Sequence, residues 1–349
     1  MSLTPFPNSP GVQMVQGPWT PAAKQMALER EVQGYYIDYF VRALKTRNWS
    51  PWHGLPFEEM SRLGRGLSTE TVTLIEAFMG IEDYVADYTL TGVELFRHDR
   101  TRRNMQLQWG AEEARHGTTW ELVLRHSGMR TEAQIHDYLA KIQASRWKAE
   151  DHGIDTPLEA SAYSMVQERA TYFNYQQLRM RIREDYGLPS APIDRERMRG
   201  YEIGASEACR RVSRDEIAHH GLFLKIIRTY IRYFPSCTFE TLNRILLGFE
   251  MPALRIIPNA RAFLRAVLRT NLYSHDIHRE EVHNPVLISL GLEGDTAFKK
   301  AIQTACQLPD DLGPDDVKLS RTGEWVFGCD NPGAAHASTV DEPSTSTTE

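Results

Sequence analysis

Two four-residue segments constrain the fold of this chain more than any other feature. Glu113-Ala-Arg-His116 and Glu216-Ile-Ala-His219 each place a carboxylate and an imidazole three residues apart, within a stretch of helical apolar spacing. Because residues i and i+3 project from the same face of an α-helix, each segment offers two metal ligands. Bundles that bind two metal ions combine two such segments with one Glu from each of two further helices. The sequence therefore predicts a metal-binding helical bundle.

The first additional glutamate is predicted from the apolar faces of the segment 68–96, which is expected to form one long helix. Glu82 shares a helix face with apolar side chains, whereas Glu76 lines up with polar residues and a glycine. Glu82 is therefore predicted to point into the bundle and Glu76 to point outward.

The second additional glutamate, Glu168, is predicted from a helix start about three turns before it. The start is marked by an N-cap, a proline at the first helical position and a capping-box glutamate: Thr156, Pro157 and Glu159. Thr171 lies one turn beyond Glu168 on the same face. The ligand order along the chain is then a single Glu followed by Glu-x-x-His, repeated twice.

The residue types indicate which metal the bundle binds. Carboxylates are hard ligands that neutralise charge and bridge metal ions, and imidazole suits iron, so four Glu and two His favour two irons over zinc. An acid precedes each Glu-x-x-His segment, Glu112 in one case and Asp215 in the other. A metal-bound His usually donates its other N–H to a carboxylate. We therefore expect Asp215 to pair with His116, and Glu112 with His219.

The residues around these positions resemble a known family, the soluble acyl-acyl-carrier-protein desaturases. Residues 109–117, W-G-A-E-E-A-R-H-G, are similar to the family's W-x-A-E-E-N-R-H-G. Residues 167–171 match its Q-E-R-A-T, and residues 215–219, D-E-I-A-H, are similar to its D-E-K-R-H. The resemblance covers about residues 25–327 and implies an all-α fold: a ferritin-like four-helix bundle core with additional helices. Departures such as Ile81, where the family usually has Thr, leave every ligand in place but bear on acyl chain length and double-bond position.

The resemblance also implies roles for individual residues. The ligands of two iron ions would be Glu82, Glu113, His116, Glu168, Glu216 and His219. Thr171 would lie on the oxygen-binding side of the centre as a catalytic residue. Trp49, Asp215 and His116 would form a hydrogen-bonded path for electrons.

The family's reaction removes two hydrogens from an acyl chain tethered to acyl carrier protein, using O2 and two electrons from ferredoxin. Acyl carrier protein and ferredoxin are therefore the expected partners, and a homodimer is the expected assembly. A di-iron hydroxylase or N-oxygenase of specialised metabolism would keep the same ligands. A ferritin-like iron-binding protein and a metal-free helical scaffold are further alternatives, and in the scaffold the Glu/His pairs would be solvated.

Composition bounds the remaining expectations. The 349 residues carry a net charge of -6, which does not favour nucleic acid as a partner. Their mean hydropathy is -0.45, which does not favour a membrane-spanning helix. No two of the four cysteines have C-x-x-C spacing, so we expect them to be reduced. No Lys or Arg, which would be expected in a secretory signal or transit peptide, occurs before residue 24, so we expect a bacterial cytoplasmic protein. Arginine clusters at 97–103 and 179–183 could contact an acidic carrier or be ordinary solvated faces. The His-rich segment 275–283 could bind zinc, but it is interpreted as a polar helix start because it lacks an inward apolar face and a Cys partner.

Domain organisation is predicted as a flexible arm over 1–21, one di-iron helical domain over 22–329 and a disordered tail over 330–349. Strand signals are nearly absent. The remaining predicted helices span 22–46, 100–127, 131–148, 194–233, 238–249, 259–273 and 295–306.

Overall fold

A computed structural model describes residues 19–189, 202–251, 256–309, 311–321 and 323–328. Within these ranges the secondary structure is almost entirely helical, which confirms the predicted all-α class. The α-helices, in chain order, are α1 Pro21–Thr46, α2 Pro51–Gly54, α3 Phe57–Leu63, α4 Thr69–Asp83, α5 Val85–Leu95, α6 Arg100–Ser127, α7 Glu132–Gln143, α8 Pro157–Asp185, α9 Ala205–Tyr233, α10 Pro235–Gly248, α11 Ala260–Thr270, α12 His275–His278, α13 Asn284–Ser289 and α14 Gly294–Ala305. Two short antiparallel strands, β1 Val317–Leu319 and β2 Trp325–Phe327, pair with Lys318 opposite Val326.

Four helices form the core of the bundle: α4, α6, α8 and α9. The longest of them, α8 and α9, pack against each other, while α4 packs against α6 and α8. Helix α1 lies against α6 and α9, and the shorter helices cover the outside of the bundle. Antiparallel packing of long helices aligns their inward faces, so side chains from all four can meet at one level of the bundle.

Local sequence signals explain where two of these helices begin and end. The Thr156 hydroxyl accepts from the backbone N–H of Glu159, whose carboxylate accepts from the Thr156 N–H, so the predicted capping box starts α8. Helix α6 begins after Asp99, whose carboxylate accepts from the N–H of Arg102. It ends at Gly128, whose φ of 68° is the left-handed conformation that glycine adopts without steric cost.

The hydrophobic core is divided into two clusters on either side of a polar level in the bundle. Trp109 on α6 and Phe223 on α9 belong to one cluster, whereas Trp120 on α6 and Val212 on α9 belong to the other. The Glu-x-x-His segments of both helices lie between these two clusters. Apolar packing above and below therefore separates the polar level from bulk water.

Three predictions about helices differ from the structure. The segment 68–96 is not one helix, because Tyr84, with φ -73° and ψ 4°, separates α4 from α5. Its hydroxyl donates to the carbonyl of Ile256 (2.8 Å), a tertiary contact that leaves no trace in local periodicity. The helix predicted over 131–148 ends at Gln143. The one predicted over 194–233 begins, within the described residues, at Ala205.

The predicted outward position of Glu76 is wrong. Glu76 is only 9% exposed, and its carboxylate accepts from Arg130 Nε (2.7 Å) and Asn259 Nδ2 (2.9 Å). Helix α11 packs against α4 and covers this face. The polar face of α4 therefore carries an ion pair between Glu76 and Arg130. The prediction failed because an amphipathic pattern shows which side of a helix is polar but not what covers that side.

Part of each arginine cluster is buried, whereas Arg97 and Arg100 are exposed. Arg102 is buried and donates to Ser161, and Arg179 is buried against Glu202. Arg183 also pairs with Glu202. None of the helices in the described part of the chain has the length and apolar character needed to span a bilayer. The proposed arm and tail fall almost entirely outside the described residues, so the domain boundaries stay a prediction.

Candidate di-metal centre

Six buried side chains converge at the polar level of the bundle. One comes from the end of α4, two from the middle of α6, one from α8 and two from α9, and each is at most 4% exposed: Glu82, Glu113, His116, Glu168, Glu216 and His219. The structure thus brings together all six residues that the sequence singled out as candidate ligands.

The six side chains form two overlapping groups of four. One contains Glu82 and His116, the other contains Glu168 and His219, and both contain Glu113 and Glu216. Within each group the candidate ligand atoms all lie within 4.8 Å of one another. The two shared carboxylates lie between the groups, as bridging ligands of two metal ions would.

Both imidazoles present Nδ1 to the carboxylates. His116 Nδ1 lies 3.2 Å from Glu113 Oε2 and 3.2 Å from Glu216 Oε1. His219 Nδ1 lies 2.8 Å from Glu113 Oε1 and 3.3 Å from Glu168 Oε2. The Nδ1 atoms are therefore the histidine atoms that could bind metal.

The opposite nitrogen of each imidazole faces an acid from the other Glu-x-x-His helix. His116 Nε2 lies 3.3 Å from Asp215 Oδ2, and His219 Nε2 lies 2.9 Å from Glu112 Oε2. Each acid is itself held by an aromatic donor: Trp49 Nε1 donates to Asp215 (2.9 Å) and the Tyr39 hydroxyl to Glu112 (2.6 Å). Such carboxylate–histidine pairs orient an imidazole toward a metal and increase its basicity.

Burial among other carboxylates raises the pKa of Glu82 and of Glu168 well above the ordinary carboxyl value. For both groups desolvation is the largest cause, followed by the negative charges of Glu113 and Glu216. Burial also opposes the ionisation of Glu216, but the closeness of Glu168 and of the two histidines lowers its pKa. In the absence of cations, this cluster therefore holds protons that an isolated carboxylate would release.

The pKa values of the two histidines reflect the excess of negative charge around them. Burial opposes protonation of His116, but the charge of Glu113 and a hydrogen bond to Asp215 outweigh it and raise the pKa well above 6.5. The pKa of His219 is raised likewise, with Tyr39 and Glu113 as the largest opposing influences to burial. The site as a whole attracts positive charge.

The donor geometry fits a pair of metal ions. Glu113 Oε1 and Glu216 Oε1 are buried without a hydrogen bond, although each lies within 3.2 Å of an imidazole nitrogen. These atoms converge on common points instead of satisfying one another, as ligands around an ion do. A set of four carboxylates and two imidazoles is the hard oxygen and nitrogen donor set that suits iron.

Thr171 lies beside the cluster and lines an adjoining cavity. Its hydroxyl lies 3.1 Å from Glu216 Oε2, and also within reach of the carbonyls of Gln167 (3.0 Å) and Glu168 (3.2 Å). Glu82, Glu113 and Glu216 form part of the wall of this narrow cavity. A small organic molecule in this cavity would therefore lie directly against the carboxylates.

Other predicted positions are also accounted for. His220, interpreted from the sequence as a neighbour of the site, places Nδ1 2.8 Å from the carbonyl oxygen of Met165, and burial lowers its pKa to about 4. Ser274 caps the helix that begins the His-rich segment. Within the residues that the structure describes, that segment contributes to no cluster of metal-ligand side chains.

Three aromatic residues hold the carboxylates, a role that sequence reasoning did not assign to any of them. Tyr175 donates to Glu82, Tyr39 to Glu112, and Trp109 Nε1 to Glu168 (3.0 Å). Tyr175 follows Glu168 by seven residues, so its place on the inward face of α8 could have been noticed. For Tyr39, 73 residues from its partner, no local signal exists.

Comparisons with known proteins agree with this geometry. A sequence model of the fatty acid desaturase family matches residues 98–287, which is more than half of the chain. No curated protein matches the chain in sequence.

The solved structures that are similar to the chain include the following two. One is DesA2 from Mycobacterium tuberculosis H37Rv, a proposed acyl-ACP desaturase: 17% identical, covering 79% of this chain and 99% of DesA2, with a TM-score of 0.51. The other is an R2-like ligand-binding oxidase from Sulfolobus acidocaldarius: 13% identical, covering 80% of this chain and 93% of the oxidase, with a TM-score of 0.47. The likeness to DesA2 confirms the expected fold, a ferritin-like four-helix bundle with additional helices.

Proposed function

Since the chain belongs to the fatty acid desaturase family and is a di-iron oxidoreductase, we propose that it introduces a cis double bond into an acyl chain carried on acyl carrier protein. The reaction would use O2 and two electrons from ferredoxin. The observation that carries this proposal is the juxtaposition of two four-ligand groups, which share Glu113 and Glu216, with a cavity that opens onto both shared carboxylates.

We assign the six clustered side chains as the iron ligands. Glu82 and His116 would bind one iron, Glu168 and His219 the other, and Glu113 and Glu216 would bridge them. Convergence of the donor atoms within 4.8 Å and the unpaired oxygens of both bridging residues support this assignment.

The iron pair, when bound, supplies reductive activation of O2, which provides an oxidant strong enough for unactivated C–H bonds. The chain's own residues have other tasks. The two apolar clusters above and below the site exclude water, and the cavity wall holds the acyl chain against the carboxylates. Trp109 and Tyr175 each hold one oxygen of a carboxylate and thereby orient the other.

Thr171 would move protons on the cavity side of the centre. Its hydroxyl faces Glu216 at 3.1 Å and lines the cavity, so it can hold a proton near the reacting carbon without adding charge. It also lies within hydrogen-bonding distance of two helix carbonyls, so the proton can be held on the threonine when no substrate is present.

Electrons would enter through Trp49, Asp215 and His116. Trp49 and His116 both hydrogen-bond to Asp215, so the three side chains form a hydrogen-bonded chain from Trp49 to a proposed iron ligand. The guanidinium groups of Arg115 and Arg211 lie over the Trp49 ring, with centroid distances of 5.1 and 5.4 Å.

A homodimer would cover an apolar stripe on the outside of α1. Ile37, Val41 and Leu44 share one face of this helix and are exposed, as is Leu107 on the adjacent α6. Exposed apolar side chains at helical spacing are typical of protein interfaces. A cytoplasmic location would give this assembly access to carrier protein and ferredoxin.

The proposal is tested with the iron-loaded protein, saturated acyl chains on acyl carrier protein, ferredoxin, its reductase and O2. Mass spectrometry of the recovered acyl group should show the loss of two hydrogens. A gain of one oxygen would identify a hydroxylase or N-oxygenase instead, and iron uptake without any change in the acyl group would indicate an iron-storage protein. Glu216→Ala, which removes a proposed bridging ligand, is the matched inactive control.

A further inference from the structure

The cavity beside the centre contains hydrogen-bonding groups that a saturated hydrocarbon chain cannot use. Its wall includes Tyr88, Gln106 and Gln167. Through their side chains, none of the three makes a hydrogen bond to any residue in the described part of the chain. Polar side chains in a protein interior are normally paired, so these groups point to a ligand with polar atoms.

Gln106 is the most deeply placed of these groups. It lies on α6 and is only 5% exposed. Its amide packs over Gly92 of α5: a Cβ at that glycine would lie 2.3 Å from Gln106 Cδ and 2.6 Å from Nε2. Any larger residue at position 92 would displace the amide, so the missing side chain of Gly92 creates the space in which Gln106 meets the cavity.

The orientation of Gln106 has an energetic consequence. An amide offers one oxygen acceptor and two N–H donors, and burial without partners is unfavourable. A hydrocarbon chain beside it would exclude water and leave the amide unpaired. A substrate with a hydroxyl, carbonyl or amide group would instead satisfy it, and would be selected over a plain chain for that reason.

The position of Gln106 also defines where that group must lie. Gln106 precedes Glu113 by seven residues on α6, which is roughly 10 Å along the helix axis. Both line the same cavity. We propose that the substrate is an acyl chain with a neutral hydrogen-bonding substituent, an inference that rests on the proposed function. The substituent binds the Gln106 amide about two helix turns from the carbon that is oxidised.

Matched substrates test this inference. Acyl carrier protein is loaded with acyl chains of one length, either saturated or with a single hydroxyl or oxo group at successive positions. The wild-type, iron-loaded protein should prefer one polar isomer over the plain chain by roughly 10- to 100-fold in kcat/KM. Equilibrium binding of the same carriers should follow the same order.

Two variants then test Gln106 itself. Gln106→Met keeps the length of the side chain but removes the amide, and should lower kcat/KM for the polar chain by roughly 10- to 100-fold while lowering that for the plain chain far less. Gly92→Ala displaces the amide without removing it and should have the same effect, which covers the case in which Gln106→Met does not fold. Gln25→Met, on the exposed face of α1, is the control and should keep the preference.

The outcomes separate this inference from the proposed function. A plain chain oxidised at least as fast as every polar chain would overturn the inference and leave the desaturase proposal intact. If Gln106→Met lowers kcat/KM equally for plain and polar chains, the partner of the Gln106 amide lies in the phosphopantetheine arm, which both carriers share. That result would also overturn the inference. No oxidation of any acyl chain by protein with two irons would overturn the proposed function itself.

Discussion

The indole Nε1 of Trp109 on α6 donates a hydrogen bond to Glu168 Oε1 on α8, across the bundle, at 3.0 Å. The other oxygen of the same carboxylate, Oε2, lies 3.3 Å from His219 Nδ1. The indole thus occupies one oxygen of Glu168 and directs the second toward the centre. A residue that belongs to the apolar core therefore also orients a proposed iron ligand.

Trp109→Phe should lower iron affinity about tenfold while the protein stays folded. Phenylalanine fills most of the indole volume but cannot donate to Glu168, and loss of a partner that orients a ligand typically costs 10- to 100-fold in metal affinity. Competition with a chelator, monitored by iron content, measures the change. Trp52→Phe, at a 61% exposed tryptophan, is the control. Equal affinities in the two variants would show that the hydrogen bond does not position Glu168.

Bridging and terminal ligands should differ in how much iron is lost when they are removed. Glu113→Ala removes a residue common to both four-ligand groups, so the purified variant should hold close to no iron. Glu82→Ala affects one group and should retain about one iron per chain. Glu94→Ala, at an exposed position of α5, should retain two. Two irons in Glu113→Ala would refute the ligand assignment.

Thr171→Val should keep the fold and both irons but lower desaturation several-fold, with reducing equivalents diverted to peroxide or water. Valine has the shape of threonine without the hydroxyl that faces Glu216 and the cavity. Product yield per electron consumed is the measurement. Thr118→Val is the control, because Thr118 donates only to the carbonyl of Ala114 one turn earlier. If coupling is unchanged in Thr171→Val, its hydroxyl is structural.

The metal-free protein should become less stable as the pH rises from 6 to 8. Burial raises the pKa of Glu82 and Glu168 well above the ordinary value, and neighbouring carboxylates raise that of His116 and His219 against the effect of burial. The folded state then holds protons that the unfolded chain has released, so its stability falls with pH through the raised pKa values. Groups whose pKa is lowered, such as Glu216, change the stability only at pH values below 6.

Thermal unfolding of the metal-free and iron-loaded proteins under anaerobic conditions checks this prediction. The Tm of the metal-free protein should be lower at pH 8 than at pH 6. Iron replaces the protons, so its stabilising effect should be larger at pH 8. Glu82→Gln, which carries no charge at either pH, should show a weaker dependence. A metal-free Tm that rises with pH over this range would contradict the electrostatic description of the site.

The sequence alone determined the features that are local to one helix. A Glu-x-x-His pair, an inward Glu82 and a capping box before Glu168 depend on 3.6-residue periodicity and on terminal hydrogen bonds, which a single segment contains. The all-α fold and the family followed from these patterns. Asp215 and Glu112, each adjacent to a proposed ligand, could be paired with the opposite histidines because the repeated pattern implies a pseudo-twofold arrangement.

Only the tertiary structure decided what lies against each face. The burial of Glu76 beneath α11 and the position of the Gln106 amide over Gly92 arise from contacts between helices, and Tyr84, where α4 ends, contacts the distant carbonyl of Ile256. The same holds for the bond between Tyr175 and Glu82, which are 93 residues apart. Periodicity indicates which face of a helix is polar, but the partner of that face depends on the packing of segments distant in sequence, and local patterns carry no information about it.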